Sequence, residues 1–319
     1  MASLKEIKGR IASVGSTLKI TSAMKMVASA KLRKAQQAIG NMLPYERHLH
    51  RILVDLLSAV GTRSDVPSDG LGINDAEANG IMTARPVKKV AIVAFSSNSS
   101  LCGAFNSNVS RETLSLIKDY RASGLKDSDI SVYPVGRKIQ DSLRKAGFVC
   151  DQDYSRMAES PNYEAASKLA LELIEGFLKG RFDKVELVYN HFKSTASQPT
   201  TKQVFLPLNL SSGPSDLNAG KRPEVFEEEA PAPRNPEDLI IEPSPSELLE
   251  VLMPKVVRLK IFSTLLDSNA AEHAARTVAM QTATDNAEDL LQELTLEYNK
   301  GRQQKITSEI LDIVGGSLQ

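Results

Sequence analysis

Apolar residues recur at alternating spacings of three and four along the first 42 residues of the chain. Twelve consecutive positions follow this spacing, and ten of them are apolar: Leu4, Ile7, Ile11, Val14, Leu18, Thr21, Lys25, Ala28, Leu32, Ala35, Ile39 and Met42. This coiled-coil period predicts a long helix that packs along its length against a partner helix. The two polar positions, Thr21 and Lys25, are neighbours on the seam, where we expect a polar or external group to meet the helix.

The C-terminal region is predicted to supply the partner helix. From Glu247 onward the pattern is helical, and alanines are frequent between Ser268 and Ala287, where small side chains let two helices approach closely. The apolar positions of this helix continue through Met280, Leu290, Leu291, Leu294, Tyr298, Ile306, Ile310 and Ile313. Gly301 predicts an irregularity in the helix, and the Gly315–Gly316 pair predicts its end.

Proline separates these helical ends from the rest of the chain. Ten of the fifteen prolines fall between Pro199 and Pro254, so long helices are possible mainly at the two ends. Helices of about 55 to 65 residues at 1.5 Å rise would each be about 80 to 100 Å long. We therefore expect the paired ends to project from the fold formed by the middle.

The middle of the chain, residues 86–210, alternates between strand and helix patterns. Apolar runs predict strands at Val87–Phe95, Ile130–Val135, Val185–Phe192 and Gln203–Leu208, and the segments between them predict helices at Asn106–Tyr120, Arg137–Ala146 and Asn162–Leu178. This alternation predicts an α/β domain with a partly parallel sheet covered by helices. Residues 211–240 are rich in proline and acidic residues and are interpreted as a surface loop or disordered connection.

Composition and charge narrow the function classes. The chain has 319 residues, of which 41% are hydrophobic and 24% charged, as expected for about two globular domains. The longest uncharged run, Val90–Ser110, is too rich in serine and asparagine for a membrane span, and the charged N-terminus does not resemble a signal peptide. The net charge is zero, yet residues 1–60 carry ten cations against three acids and residues 221–250 carry nine acids against three cations. A basic arm favours an acidic partner, either nucleic acid, a membrane surface or a protein.

The residues do not form a catalytic motif. The turn Ser96–Gly103 lacks the spacing of a phosphate-binding loop. Cys102 and Cys150 are interpreted as free thiols, and Cys102 as a buried structural one. His273 is interpreted as a histidine packed in or beside the helix seam, and Glu227–Glu229 as a solvated loop. Two rival functions stay open at this point. One is an α/β enzyme or nucleotide-binding protein with a coiled-coil dimerisation arm; the other, disfavoured by the neutral total charge, is a nucleic-acid binder.

Four segments at the termini and the centre carry a resemblance to a known family. They are the opening run Ile7–Gln36, the turn LCGAFNSNV at Leu101–Val109, the segment IEPSPSELLEVLMP at Ile241–Pro254 and the closing run Glu272–Ile313. Together they resemble the gamma subunit of F-type, rotary ATP synthases. The resemblance implies a long antiparallel two-helix coiled coil, made of shaft helices within residues 1–61 and 241–319, with an inserted α/β domain.

The resemblance also implies a function without an active site or cofactor. In that family the shaft turns inside the ring of alpha and beta subunits and couples rotation of a proton- or sodium-driven membrane ring to the beta-subunit catalytic sites. The implied partners are the alpha, beta and epsilon subunits and the membrane c-ring, with no nucleic acid. The implied location is peripheral, on the cytoplasmic face of the inner membrane.

Individual positions take on roles by the same resemblance. Contacts with the beta subunits are implied for Met24, Lys25, Arg276, Gln281, Arg302, Gln303 and Thr307. An apical bearing is implied for Ile310, Leu311, Ile313 and Val314, and a contact with the rotor ring for Leu239, Ile240, Ile241 and Glu242. The step Thr21–Lys25 and the basic cluster Lys31, Arg33 and Lys34 are expected to face outward toward acidic loops of the beta subunits.

Overall fold

The computed structural model describes residues 3–62, 80–148, 153–208, 241–242 and 244–316. The elements in chain order are α1 (Leu4–Thr62), β1 (Val90–Phe95), α2 (Phe105–Ala122), a 3₁₀ turn (Asp127–Asp129), β2 (Ile130–Val135), α3 (Arg137–Lys145), α4 (Ser155–Glu159), α5 (Tyr163–Leu178), β3 (Lys184–Asn190), β4 (Thr200–Leu206) and α6 (Pro245–Gly316). Every helix and strand predicted from the pattern forms, with ends shifted by a few residues. The 3₁₀ turn and α4 were not predicted because they are too short to show a period.

Four strands form one mixed sheet in the order β2-β1-β3-β4. β1 pairs in parallel with both β2 and β3, and β4 is antiparallel to β3. All six residues of β1 are buried, which is why this strand is a continuous apolar run rather than an alternating one. The predicted fold class, an α/β domain with a partly parallel sheet between long terminal helices, is confirmed.

Helices cover both faces of this sheet. Ala91, Val93 and Phe95 of β1 face a core that contains α5 and three residues of α6, namely Val257, Ile261 and Leu265. The alternate residues of β1 face a second core built on α2 and α3. The C-terminal helix is therefore part of the hydrophobic core of the α/β domain.

The chain forms two compact units, one containing residues 1–30 and 276–319 and the other residues 31–275. In the first unit, α1 and α6 pair in antiparallel directions, because Thr21 contacts Thr284 whereas Leu4 lies against Gly301. None of the seam positions predicted for α1 is exposed in this unit. A Cβ atom on Gly301 would lie 3.1 Å from Leu4 Cδ2. Gly301 therefore marks a close approach of the two helices, and the irregularity predicted there is wrong, since α6 continues through it.

The same two helices pair again within the second unit. Leu32 and Ala35 of α1 pack with Ala270 and Ala274 of α6, where the alanines bring the helices close. Further along, a cluster of α1 and α6 residues continues the three-four spacing of the N-terminal pattern; it contains Leu53, Leu56, Leu249 and Met253. Both helices pass through a proline, Pro44 in α1 and Pro254 in α6. Pro44 has no backbone N–H, so the Gly40 carbonyl lacks its helical hydrogen-bond donor. Both residues are exposed, and water can therefore bond to that carbonyl.

We expect Gly136→Ala to destabilise the α/β domain by about 3 kcal/mol, because of a left-handed backbone and a steric overlap together. Gly136 precedes α3 with φ of +104°, and a Cβ atom there would overlap the backbone carbonyl of Ser96. The matched control is Gly147→Ala, since Gly147 has φ of +88° but open space around it. The control should lose only about 1 kcal/mol. Urea unfolding followed by circular dichroism measures both, and equal losses would contradict the overlap.

Candidate functional site

The turn after β1 is held by hydrogen bonds among its own groups. Asn106 Oδ1 accepts from the Ser97 amide at 3.0 Å, and Asn106 Nδ2 donates to Cys102 Sγ at 3.1 Å. Cys102 is 1% exposed, which confirms its interpretation as a buried structural thiol. Cys150 lies outside the described residues. Among the residues that are described, no cluster of His, Cys, Asp and Glu could hold a metal ion.

Thr21 lies inside the helix pair and not on its outer face. Its side chain is 8% exposed, and its Oγ1 lies 3.0 Å from Oγ1 of Thr284, so that one hydroxyl donates to the other. Each hydroxyl also lies within hydrogen-bond distance of a carbonyl in its own helix. The expectation that Thr21 faces outward toward another subunit is therefore wrong. The polar group that meets α1 at this position is the hydroxyl of the partner helix.

Residues predicted to contact the beta subunits lie beside this hydroxyl pair. The register that joins Thr21 to Thr284 puts Met24 opposite Gln281, one turn away. The side chains of Met24, Lys25, Arg276 and Gln281 are all half-buried, at the margins of the seam. Gln281 Nε2 donates to Asp285 Oδ1 at 2.6 Å, which fixes the amide along the surface of α6. The structure thus brings Met24, Lys25 and Gln281 together, whereas Arg276 lies more than a turn further along α6.

The last part of α6 runs beyond the start of α1. Leu4 is the first residue of α1 and packs on Gly301, so residues 302–316 extend past it by about 22 Å. Arg302, Gln303 and Thr307 are exposed on this extension. The four predicted bearing residues are between 50% and 72% exposed; they are Ile310, Leu311, Ile313 and Val314. Several large apolar side chains exposed together on one short segment are typical of an interaction surface.

The basic cluster and the predicted ring-contact segment both lie in the second unit. Lys31, Arg33 and Lys34 are exposed, as expected. Ile241 is half-buried and packs against the apolar cluster of α1 and α6, whereas Glu242 is exposed. Leu239 and Ile240 lie outside the described residues.

A polar cluster between α1, α6 and the end of β3, partly buried at Glu46 and Ser263 and buried at His191 and Asp267, was not predicted. Glu46 of α1 accepts a hydrogen bond from Ser263 Oγ of α6 at 3.0 Å. One turn further along α6, Asp267 lies 2.6 Å from His191 Nδ1. A signal was present, since Glu46 continues the three-four spacing four residues after Met42, and a carboxylate on an apolar seam requires partners.

Burial sets the protonation behaviour of Glu46. Desolvation raises the pKa of the Glu46 carboxyl above its usual value, and nearby Asp267 adds to the increase. Lys260, the Ser263 hydrogen bond and Arg47 oppose it without cancelling it. Desolvation of the His50 ring lowers its pKa, and the nearby charge of Lys260 lowers it further. His273, also on α6, is 8% exposed, in agreement with its interpretation as a packed histidine.

These features define a class of α/β protein whose terminal helices pair in antiparallel directions and whose sheet domain is inserted between them in the sequence. A family model described as ATP synthase matches residues 3–318. The ATP synthase gamma chain of Phocaeicola vulgatus is 51% identical over 318 residues, covering 100% of both chains. That of Bacteroides fragilis is 52% identical over 318 residues with the same coverage. The chain belongs to the family of ATP synthase gamma chains.

Solved structures show the same fold. A chain of the Euglena gracilis mitochondrial ATP synthase, from an assembly described as OSCP, F1 and c-ring, matches with a TM-score of 0.57 and 19% identity, covering 99% of this chain and 93% of that one. A chain of the Tetrahymena thermophila mitochondrial ATP synthase, described as central stalk and c-ring, matches with a TM-score of 0.52 and 23% identity, covering 83% and 99%. None of the helices in the described part of our chain combines the length and apolarity that a membrane span needs.

The hydroxyl pair in the seam can be tested by a double-mutant cycle. We expect Thr21→Val and Thr284→Val each to destabilise the chain by about 0.5 to 1.5 kcal/mol, because each leaves one buried hydroxyl with a poorer set of partners. The double variant should cost less than the sum of the two, since two valines of similar shape pack against each other on the seam. Chemical unfolding of the full chain gives the three values. Simple additivity would show that the hydroxyls do not interact.

The raised pKa of Glu46 predicts a pH-dependent difference from a neutral variant. A carboxyl with a raised folded pKa contributes stability that is fully present below its unfolded pKa and is lost as pH rises through the folded pKa. Glu46→Gln keeps an acceptor for Ser263 but cannot ionise. We expect it to be more stable than the parent at about pH 8 and to lose this advantage toward about pH 4.5. The exposed Glu297→Gln is the control, and an advantage of Glu46→Gln that does not change with pH would contradict the assignment.

Proposed function

We propose that the chain is the central rotor shaft of an F-type ATP synthase. It couples rotation of a membrane ring, driven by protons or sodium ions, to conformational change at the beta-subunit catalytic sites. The observation that carries the proposal is the α1–α6 seam together with the exposed end of α6 that extends beyond the start of α1. A helix pair with a closed apolar seam resists bending, and side chains that differ around its surface present a different face to each surrounding subunit.

Torque contacts are proposed for two groups of residues. The first is the patch at the hydroxyl pair, formed by Met24, Lys25 and Gln281, with Arg276 further along α6. The second is the polar start of the α6 extension, where Arg302, Gln303 and Thr307 are exposed. Guanidinium, amide and hydroxyl groups can exchange hydrogen-bond partners as the surroundings change, which suits a surface that meets successive subunits. The exposed cations Lys31, Arg33 and Lys34 are proposed to face acidic loops of the beta subunits, to which their charge is complementary.

An apical bearing is proposed for the end of the extension. Ile310, Leu311, Ile313 and Val314 would turn inside an apolar collar formed by the alpha and beta subunits. Apolar contacts are non-directional, so rotation does not require hydrogen bonds to break there. The segment Leu239–Glu242 is proposed to contact the c-ring, and the epsilon subunit is proposed to dock on the α/β domain and the adjoining helices.

The chain is proposed to have no catalytic activity of its own. The polar groups of the turn after β1 are hydrogen-bonded to one another, and this turn carries no phosphate-binding motif. Its location follows from its partners, peripheral on the cytoplasmic face of the inner membrane. The rival interpretation, an α/β nucleotide-binding protein, is disfavoured by the missing phosphate-binding motif.

The torque contact can be tested in the complex with the double variant Arg302→Ala/Gln303→Ala. We expect ATP hydrolysis by the assembled complex to fall about tenfold, because the exposed contacts that these residues make with the catalytic subunits would change strength during the cycle. The charge-matched control is Lys305→Ala. Lys305 is exposed on the same segment of α6, and its ammonium pairs with Glu309 of that helix at 3.7 Å. Full hydrolysis and full ATP-driven pumping by the double variant would remove the pair from the proposed contacts.

A further inference from the structure

The loop after β3 is joined to α6 through one buried carboxylate. Asp267 Oδ2 lies 2.6 Å from Nδ1 of His191, and Asp267 Oδ1 accepts a hydrogen bond from the Phe192 amide at 2.9 Å. Asp267 is 8% exposed and His191 is 7% exposed. The His191 amide in turn donates to the Pro199 carbonyl at 2.8 Å, which closes the loop between β3 and β4. Both oxygens of a single carboxylate thus bond to consecutive residues of the α/β domain.

The residue held in this way packs against both long helices. The Phe192 side chain contacts the cluster in which Leu32 and Ala35 of α1 meet Ala270 and Ala274 of α6. It also contacts the neighbouring cluster that contains Cys102, Phe105 and Ala271. Phe192 is therefore where the sheet domain, α1 and α6 come together within the unit formed by residues 31–275. Its position depends on the backbone bond to Asp267, because a loop residue has no strand neighbour to fix it.

The buried Asp267 carboxylate favours the one loop conformation in which both of its oxygens are hydrogen-bonded. Removing one partner of a buried charged hydrogen bond leaves the other desolvated without compensation, so a displaced loop is strongly disfavoured. Other polar groups of α1 and α6 lie near Asp267. Glu46 of α1 interacts electrostatically with both Asp267 and Lys260 of α6, and Ser263 links Glu46 to the same face of α6.

We propose that Asp267 is a positioning residue for rotary coupling: by holding His191 and Phe192, it latches the α/β domain to the paired helices. The latch consists of Asp267, His191 and Phe192. This inference rests on the proposed function, in which epsilon and the membrane ring act on the α/β domain and its adjoining helices, while the catalytic subunits act on the helix pair of residues 1–30 and 276–319. Torque that enters through the domain must cross to α1 and α6, and the latch is a polar, directional connection at that crossing.

The latch can be tested by Asp267→Ala in the complete membrane-bound complex, with protons pumped per ATP hydrolysed as the readout. We expect the ratio to fall at least about twofold while hydrolysis stays within about twofold of the parent, because the catalytic subunits still contact an intact helix pair. Asp267→Asn is the conservative rescue. Its Oδ1 can accept from the Phe192 amide and its Nδ2 can donate to the alternative tautomer of His191, so most of the coupling should return.

The matched control is Thr264→Ala. Thr264 is 0% exposed on the same helix, but the hydrogen bond of its hydroxyl goes to the Lys260 carbonyl in α6 itself. This variant should lose stability without losing coupling. Hydrogen exchange at the Phe192 amide, faster by at least about tenfold in Asp267→Ala than in Thr264→Ala, would show that the latch itself had opened.

Full coupling by Asp267→Ala with an opened latch would overturn the proposal. If Asp267→Ala did not assemble, Phe192→Leu would replace it, since leucine keeps an apolar contact but is too short to reach both helices. Full coupling by Phe192→Leu would also overturn the proposal. The proposed function fails separately. In that case the parent complex would pump no protons at the expense of ATP, and the latch variants would have nothing to reduce.

Discussion

The pairing of the two ends of the chain is the interaction on which the rest of the structure depends. In the first unit α1 and α6 bury their seam from Leu4 opposite Gly301 onward, and in the second unit the same helices meet again through alanines and then leucines. Contacts between residues nearly 300 positions apart in the sequence must therefore form before either helix can bury its seam. The α/β domain shares this dependence, because Val257, Ile261 and Leu265 of α6 form part of its core.

Polar groups set the register of this pairing. An apolar seam of similar residues could slide by a heptad at modest cost, but the Thr21–Thr284 bond in the first unit and the Glu46–Ser263 bond in the second each form only in the register of that unit. This specificity costs free energy of folding at neutral pH, because burial disfavours the ionised Glu46 carboxyl and so raises its pKa. Specific polar contacts within an apolar seam suit a shaft that must transmit torque without slipping. They also explain why the latch at Asp267 is built from hydrogen bonds rather than from apolar contact alone.

Much of this fold could be predicted from the sequence because its periods are long and regular. The three-four spacing of α1 and the buried run of β1 each follow from one repeating physical requirement. The partner of Thr21 could not be predicted, because Thr284 falls outside the apolar pattern used to find the second helix. Asp267 and His191 were missed for a related reason, since their contact joins residues 76 positions apart and neither has a local motif. The surface positions Arg302 and Ile310 came from family resemblance, and the structure adds that they are exposed on a helix end beyond α1.

Direct observation of rotation tests the central claim most sharply. A cysteine introduced by Lys145→Cys on the exposed surface of α3, in a Cys150→Ser background that leaves only the buried Cys102, would carry a probe on the α/β domain. With the beta subunits fixed to a surface, we predict that ATP drives unidirectional, stepwise turning of the probe. Continued ATP hydrolysis by complexes whose probe does not turn would contradict the account of this chain as the rotor.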